Sequence, residues 1–320
     1  MKFTRTAFNS LATAALLLTT HALVSAQDGP REVVNEQAQA PREAAARPTT
    51  RFIAEAGIIA QGKADIDGGG NLSVTRFDAG LLYQTDVAQN LRFGGSYLFG
   101  VNDYDFGSAG FGAPWDTVIF NRLGVQLSRT LDDRWSVRGG GVLMSSRETG
   151  ADLGDSITGG FSVGADYRHS QTLFLSGGFA CVSQLEDDVQ VIPMLGVNWK
   201  ASDRWLFRLG SVPFSGGAAA GLEAEYRLSD RLELAGGMLY HQRRFRLDDS
   251  GPAPDGVGQE RTFPLRLRLG WKVSEKVSLH LLGGIVTGGE LLLEDSRGNR
   301  LAKPDYDPAP YISARALFRF

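Results

Sequence analysis

The chain is poor in the residues that most often carry site chemistry. Its 320 residues include a single cysteine, Cys181, and four histidines. One cysteine cannot form an internal disulfide, and it excludes a zinc site built from several thiolates. The formal net charge of −3 lacks the basic excess on which nucleic-acid binding depends. The sequence therefore points away from disulfide-rich domains, cysteine-based zinc domains and nucleic-acid partners.

Long apolar runs are also missing, because no stretch beyond the N-terminal region approaches the roughly 18 residues of a spanning helix. The N-terminal region has the parts of a secretory signal: Lys2 and Arg5, an apolar stretch over 11–24, and small residues at Val24-Ser25-Ala26. We expect residues 1–26 to be a cleaved signal peptide. Residues 27–50 are rich in Ala, Pro, Glu, Gln and Arg without periodicity, and we expect a disordered periplasmic lead-in there.

Glycine, by contrast, is abundant, with 40 residues. Strands keep glycine where a wall bends or where backbones approach closely. From residue 51 onward, amphipathic strands alternate with two kinds of connector. The short connectors are small polar turns, at 85–90, 130–134, 168–172, 201–204, 228–231 and 273–276. The longer connectors are rich in Gly, Pro and Asp, for example 102–114, 147–155, 248–260 and 294–309. Short turns at one end and long loops at the other are typical of membrane barrels, in which the short turns are periplasmic.

The strands alternate strictly between apolar and polar residues. Between 263 and 273, Leu265, Leu267 and Leu269 share one face, whereas Arg266 and Arg268 share the other. Counting such segments predicts an all-β fold, a transmembrane antiparallel up-and-down β-barrel of about 14 strands over residues 51–320. Barrels of 12 or 16 strands are the alternatives.

The last ten residues, Tyr311 to Phe320, place Ile312, Ala314, Ala316, Phe318 and Phe320 on one apolar face. This resembles the closing strand of Gram-negative outer-membrane β-barrels. More narrowly, the Gly-rich strands and S-D-R type turns resemble outer-membrane barrel families of unknown function. The resemblance implies a barrel closed by the strand that ends in Phe320, and a location in the outer membrane of a Gram-negative-type bacterium. It implies lipids and lipopolysaccharide as partners, together with the barrel-assembly machinery, which reads the C-terminal strand. The oligomeric state stays open.

Two sets of residues follow from the assignment of faces. A soluble ligand-binding barrel has about eight strands and an apolar interior, whereas here the polar face is charged, which favours lipid outside and water inside. Residues predicted to line the lumen are Arg76, Arg122, Arg138, Arg208, Glu223, Glu225, Arg266, Arg268 and Arg315. Residues predicted to form an aromatic girdle near the short turns are Tyr83, Phe93, Trp135, Tyr167, Trp199, Trp205, Tyr226, Trp271 and Phe320.

No set of catalytic or metal-binding residues emerges from the sequence. Ser162 lies in a G-x-S-x-G pattern that continues as a strand, whereas a nucleophile needs a strand, a turn and a helix. A calcium-loop pattern starting at Asp65 fails, because Arg76 takes the place of the required glutamate. His241 and His280 lie in strands that are not sequence neighbours. We therefore expect no enzymatic activity, no cofactor and no metal.

The surplus of basic over acidic residues on the inner face suggests a passive channel or transporter for small polar solutes, with anions favoured. Fourteen strands lie between filled barrels and wide channels, so we expect a narrow or loop-gated pore, with 102–114 folding into the mouth. Fourteen strands also resemble the fatty-acid transporter family, but residues 27–50 are too few and too polar for its plug. The alternative is a non-conducting structural or adhesive barrel that acts through its external loops.

Overall fold

The computed structural model describes residues 50–107, 113–214 and 217–320; the predicted signal peptide and residues 27–49 of the lead-in lie outside these ranges. Thr50, which we expected to end the lead-in, is the first residue of a strand. The strands are β1 (Thr50–Asp65), β2 (Asn71–Ala88), β3 (Leu91–Gly107), β4 (Thr117–Thr130), β5 (Trp135–Glu148), β6 (Ile157–Arg168), β7 (Leu173–Gln184), β8 (Asp187–Lys200), β9 (Trp205–Phe214), β10 (Gly217–Arg227), β11 (Leu232–Arg246), β12 (Val257–Lys272), β13 (Val277–Glu294), β14 (Arg300–Ala302), β15 (Asp305–Tyr306) and β16 (Ala309–Arg319).

Fourteen of these strands form the wall of a closed barrel, which confirms the predicted fold. Strands β1 to β13 pair in sequence order, and all these neighbours are antiparallel. Strand β16 pairs with both β13 and β1, so the C-terminal strand closes the cylinder. The short β14 and β15 lie in the connector between β13 and β16. Within the described residues, no helix is long and apolar enough to cross a membrane.

The two faces of the wall differ as the alternation predicts. Outward side chains such as Leu123, Leu267 and Ile312 are exposed, whereas their inward neighbours Arg266 and Ser313 are buried. We call the exposed outward face the apolar belt. Such a belt faces hydrocarbon in outer-membrane barrels.

The nine aromatic residues of the predicted girdle lie near the short turns, and several contact one another in pairs with tilted rings. Ring centroids are 4.7 Å apart for Trp135 and Tyr167 and 4.8 Å apart for Trp205 and Tyr226. Phe320 lies 5.7 Å from Phe52 across the β16–β1 seam. The remaining members of the girdle are Tyr83, Phe93, Trp199 and Trp271.

Five of the six short polar turns share one hydrogen-bond pattern. In the β10–β11 turn, the Ser229 hydroxyl accepts hydrogen bonds from the backbone N–H groups of Arg231 and Leu232, at 3.3 and 3.1 Å. Ser170, Ser202 and Ser274 do the same for the residues two and three positions later. Asp132 replaces serine in the β4–β5 turn, and the N–H groups of Arg134 and Trp135 hold the pKa of its carboxyl below its usual value. Side chains that bond their own turn in this way fix the hairpins.

The strands continue further toward the long loops than the sequence analysis predicted. Residues 102–107 of the expected connector 102–114 belong to β3, and residues 257–260 of the connector 248–260 belong to β12. Residues 108–112 lie outside the described residues. In the β3 extension the pattern reverses, because Tyr104 points into a buried core whereas Asp103 and Asp105 are exposed. Because the sequence analysis expected apolar residues outside throughout, it ended β3 too early.

The apolar belt leads to a test of what surrounds the barrel. Leu267, near the middle of the belt, is 62% exposed, and Leu301 in β14 at the loop end is 51% exposed. We expect Leu267→Arg to destabilise the barrel by about 2–4 kcal/mol in lipid, because a guanidinium there must enter hydrocarbon. Leu301→Arg serves as the matched control and should have little effect, since it lies beyond the belt.

The measurement is urea-induced unfolding in lipid vesicles, followed by tryptophan fluorescence. Equal free energies of unfolding for the two variants would contradict a lipid-facing belt.

Candidate functional site

The loop end of the barrel is filled by an apolar core inside the cylinder. Trp115, from the β3–β4 connector, packs edge-on against Phe245 at 5.1 Å and against Phe106 at 5.5 Å. We call this set the loop-end core. Its buried members are Ile59, Ala64, Ile66, Leu72, Val74, Tyr104, Trp115, Val118, Leu239, Phe245, Leu247, Ala253, Val286, Leu291, Leu293, Tyr306, Ala309 and Tyr311. These residues come from strands on opposite sides of the wall, so the core spans the lumen at this end.

A buried carboxylate links the two sides of the lumen at the edge of this core. Both oxygens of Glu260 on β12 accept from the Arg76 Nη2 on β2, at 2.7 Å. The hydroxyl groups of Tyr104 and Tyr306 each donate to Glu260 at 3.0 Å, and Arg243 donates at 3.1 Å. Because β13, β16 and β1 separate β12 from β2 in the wall, the Arg76–Glu260 pair crosses the lumen.

A second charged network lies along β9 to β12. Glu223 on β10 pairs with Arg208 on β9 and with Arg266 on β12, while Arg268 on β12 contacts Glu223 at 3.3 Å and Glu225 at 3.2 Å. Arg208 also contacts Glu225 at 2.8 Å. The Glu223 and Glu225 side chains are 0% exposed. Glu233 on β11 completes the network as a third partner of Arg268. Charge is balanced here, with three guanidinium groups and three carboxylates.

Glycine on the intervening strand allows these pairs to form. Gly237 on β11 lies between Glu223 and Arg266 in register, so no side chain separates the two charges. The same arrangement recurs where Arg315 on β16 pairs with Glu55 on β1 at 2.5 Å and with Asp78 on β2. Gly57 lies between Arg315 and Asp78 in register. Some of the abundant glycine is thus explained by ion pairs that reach across a strand.

The ion pairs of the inner wall include most of the predicted lumen residues. All nine lie on the inner face, and eight have charged partners: Arg76, Arg138, Arg208, Glu223, Glu225, Arg266, Arg268 and Arg315. The ninth, Arg122, makes no ion pair or side-chain hydrogen bond within residues 50–107, 113–214 and 217–320. The positive charge of these arginines is therefore mostly neutralised by carboxylates, one of which, Glu260, the sequence analysis did not count as an inner residue. Its parity with Arg266 and Arg268 would have shown it, had β12 been extended.

The interior is packed unevenly around its circumference. On β1, β2, β12 and β16 the inward side chains in the middle of the strands are buried. On β4 to β8 many inward positions are only partly buried, including Arg122, Gln126, Arg138, Asp166 and Asn198. The accessible space inside the barrel therefore lies along β4 to β8. Across the described residues, no group of three or more His, Cys, Asp or Glu is placed to hold a metal ion.

The wall has one short ladder on this same side. Strands β8 and β9 pair over four residue pairs, from Lys200–Leu206 to Val197–Leu209, whereas β2 and β3 pair over seventeen. The ladder ends beside Gly210, whose φ of 98° is in the left-handed region that glycine tolerates. Toward the loop end, Val189 and Val191 on β8 are both 64% exposed. The β8–β9 seam is the least extensive joint in the described wall.

Comparison with known proteins finds solved structures of outer-membrane barrels with a similar fold. A solved structure of a deltaS2 variant of the monoaromatic hydrocarbon channel TodX has a TM-score of 0.50 and 11% identity, covering 86% of this chain and 91% of that chain. An outer membrane channel from Pseudomonas putida F1 has a TM-score of 0.48 and 12% identity, covering 87% of this chain and 97% of that chain. No family model matches the chain, and no curated protein does. At these identities the likeness concerns the fold: a closed 14-strand barrel of the outer-membrane type.

The charged network gives a prediction about stability. We expect Glu223→Gln to lower the free energy of unfolding by about 3–5 kcal/mol, because it removes the carboxylate that Arg208, Arg266 and Arg268 share in a buried place. Glu275→Gln is the control, since Glu275 pairs with Lys272 in an exposed turn and its loss should not be measurable. Urea unfolding in detergent micelles measures both variants. A Glu223→Gln protein as stable as the control would show that the network does not stabilise the barrel.

Proposed function

We propose that the protein is an outer-membrane channel or transporter for small polar solutes, closed at its loop end in this structure. The observation that carries the proposal is a closed 14-strand barrel that turns an apolar belt outward and its charges inward. Such a wall suits a membrane exterior and a polar interior. The fold it shares with the TodX variant, which is described as a monoaromatic hydrocarbon channel, supports a transport role.

The route of the solute follows from the packing. The partly buried inner face of β4 to β8 offers the accessible space, whereas the loop-end core blocks the exit toward the long loops. Passage therefore requires the loop-end core to move, which makes this a gated pathway. The proposal includes export by the N-terminal signal, contact with lipids and lipopolysaccharide, and assembly through the C-terminal strand. It includes no catalytic step.

A second candidate is a non-conducting barrel that acts through its external loops. The observation that favours it is the extent of the closure, in which eighteen buried apolar residues lie beside an ion pair that crosses the lumen. A rigid closure of this kind would make the barrel a structural or adhesive element.

Current measurements in planar bilayers separate the two candidates. We expect rare openings from the unaltered protein and frequent openings from Phe245→Ala, because that change removes a fully buried ring from the loop-end core. Leu301→Ala is the control, as it shortens an exposed leucine at the same end. Circular dichroism shows whether each variant keeps its barrel.

If neither the unaltered protein nor a folded Phe245→Ala variant gives any current, the channel is rejected and the second candidate is favoured. Discrete steps that increase in Phe245→Ala, but not in Leu301→Ala, would support gating by the core.

A further inference from the structure

Arg122 is the inner-face arginine of the predicted set that has no partner within the described residues. It lies on β4, four residues further from the loop end than Val118 of the loop-end core. Its strand neighbours in register are Leu98 on β3 and Met144 on β5, neither of which can neutralise a charge. The two internal gaps in the described chain, 108–112 and 215–216, contain no acidic residue. The guanidinium is therefore uncompensated by its neighbours in the wall.

An apolar strip begins directly beside Arg122. Met144 and Met194 pack against Ala180, Val182 and Ile192 on the inner faces of β7 and β8. We call these five residues the methionine strip. Met144 and Arg122 lie opposite each other in register and point to the same side of the wall, where directly opposed Cβ atoms are about 5 Å apart. Both are partly buried, so each presents some surface to the lumen.

A partly buried guanidinium without a counter-charge is unfavourable unless water or an anion satisfies it. Arginine cannot relieve the cost by losing its proton, because its pKa is too high. The planar guanidinium group can donate two parallel hydrogen bonds to the two oxygens of a carboxylate. A single positive charge suits a monoanion better than a phosphate dianion, and Arg138, further along the same inner wall, is already neutralised by Asp166.

We propose that Arg122 and the methionine strip form a binding site for a small organic carboxylate with an apolar body. Arg122 holds the carboxylate, and the polarizable methionine side chains accommodate the body, as thioethers do against aromatic rings. The site lies on the accessible side of the lumen, below the loop-end core, where a solute in transit would rest. This inference rests on the proposed function, since the ligand reaches the site through the lumen.

The test uses benzoate as the probe and benzamide as its neutral counterpart. Isothermal titration of the purified protein in detergent should show benzoate binding, and Arg122→Gln should weaken it about 10–100-fold, the value of a charge-assisted hydrogen bond. Arg122→Lys should restore part of the affinity. Benzamide should bind weakly to all variants.

Arg138→Gln is the matched control, because it removes one positive charge from the same inner wall. Benzoate binding that falls equally in both variants would indicate a general field rather than a site, and would overturn the inference. Met194→Gln should weaken benzoate but not acetate, which has almost no apolar body. An equal loss for both ligands would reject the role of the strip.

Conductance measurements then separate a failure of the Arg122 site from a failure of the proposed transport role. If the channel conducts but Arg122→Gln changes neither benzoate block nor benzoate binding, the site is wrong and the channel stands. If benzoate binds through Arg122 in titration while no variant conducts, the site stands and the proposed transport role fails.

Discussion

The neutralisation of charge inside a closed wall is the constraint on which the rest of the structure depends. A strand has two faces, and the apolar belt occupies one of them, so every charged residue of the membrane band must point inward. Inside a cylinder those charges cannot all reach bulk water. Glu223 pairs with Arg208 on the neighbouring strand and with Arg266 across β11, where Gly237 has no side chain to separate the two charges. Fold, glycine content and ion pairs are thus consequences of one requirement.

The barrel reverses its polarity along its height. In the membrane band, leucine and phenylalanine point outward and arginine and glutamate point inward. Toward the long loops, Asp103 and Asp105 point outward while Tyr104 packs inside with Trp115. The lower part therefore has the pattern of a membrane barrel and the upper part that of a soluble one. The Arg76–Glu260 pair lies where the charged interior meets the apolar one, and the two tyrosines that bond Glu260 belong to the apolar core.

The sequence alone predicted the features that depend on local pattern. Alternation and turn spacing were enough for 14 strands, for the closing strand, and for the turns capped by Ser229 and its equivalents. The same pattern was wrong at the loop end of β3, because it was applied with apolar residues outside throughout and so ended that strand early. Partners such as Arg76 and Glu260 are 184 residues apart and meet only once the cylinder closes. Alternation also cannot distinguish Arg122 from its paired counterparts, since that difference depends on which carboxylates are within reach.

The four-pair seam between β8 and β9 has a mechanical consequence. A hydrogen-bonded cylinder is stiff wherever its joints are long, and deformation concentrates at the weakest one. This joint adjoins the loosely filled side of the lumen, where Arg138 and Met194 lie. The cross-section can therefore widen by bending at this one seam, while the longer ladders elsewhere in the wall keep their geometry.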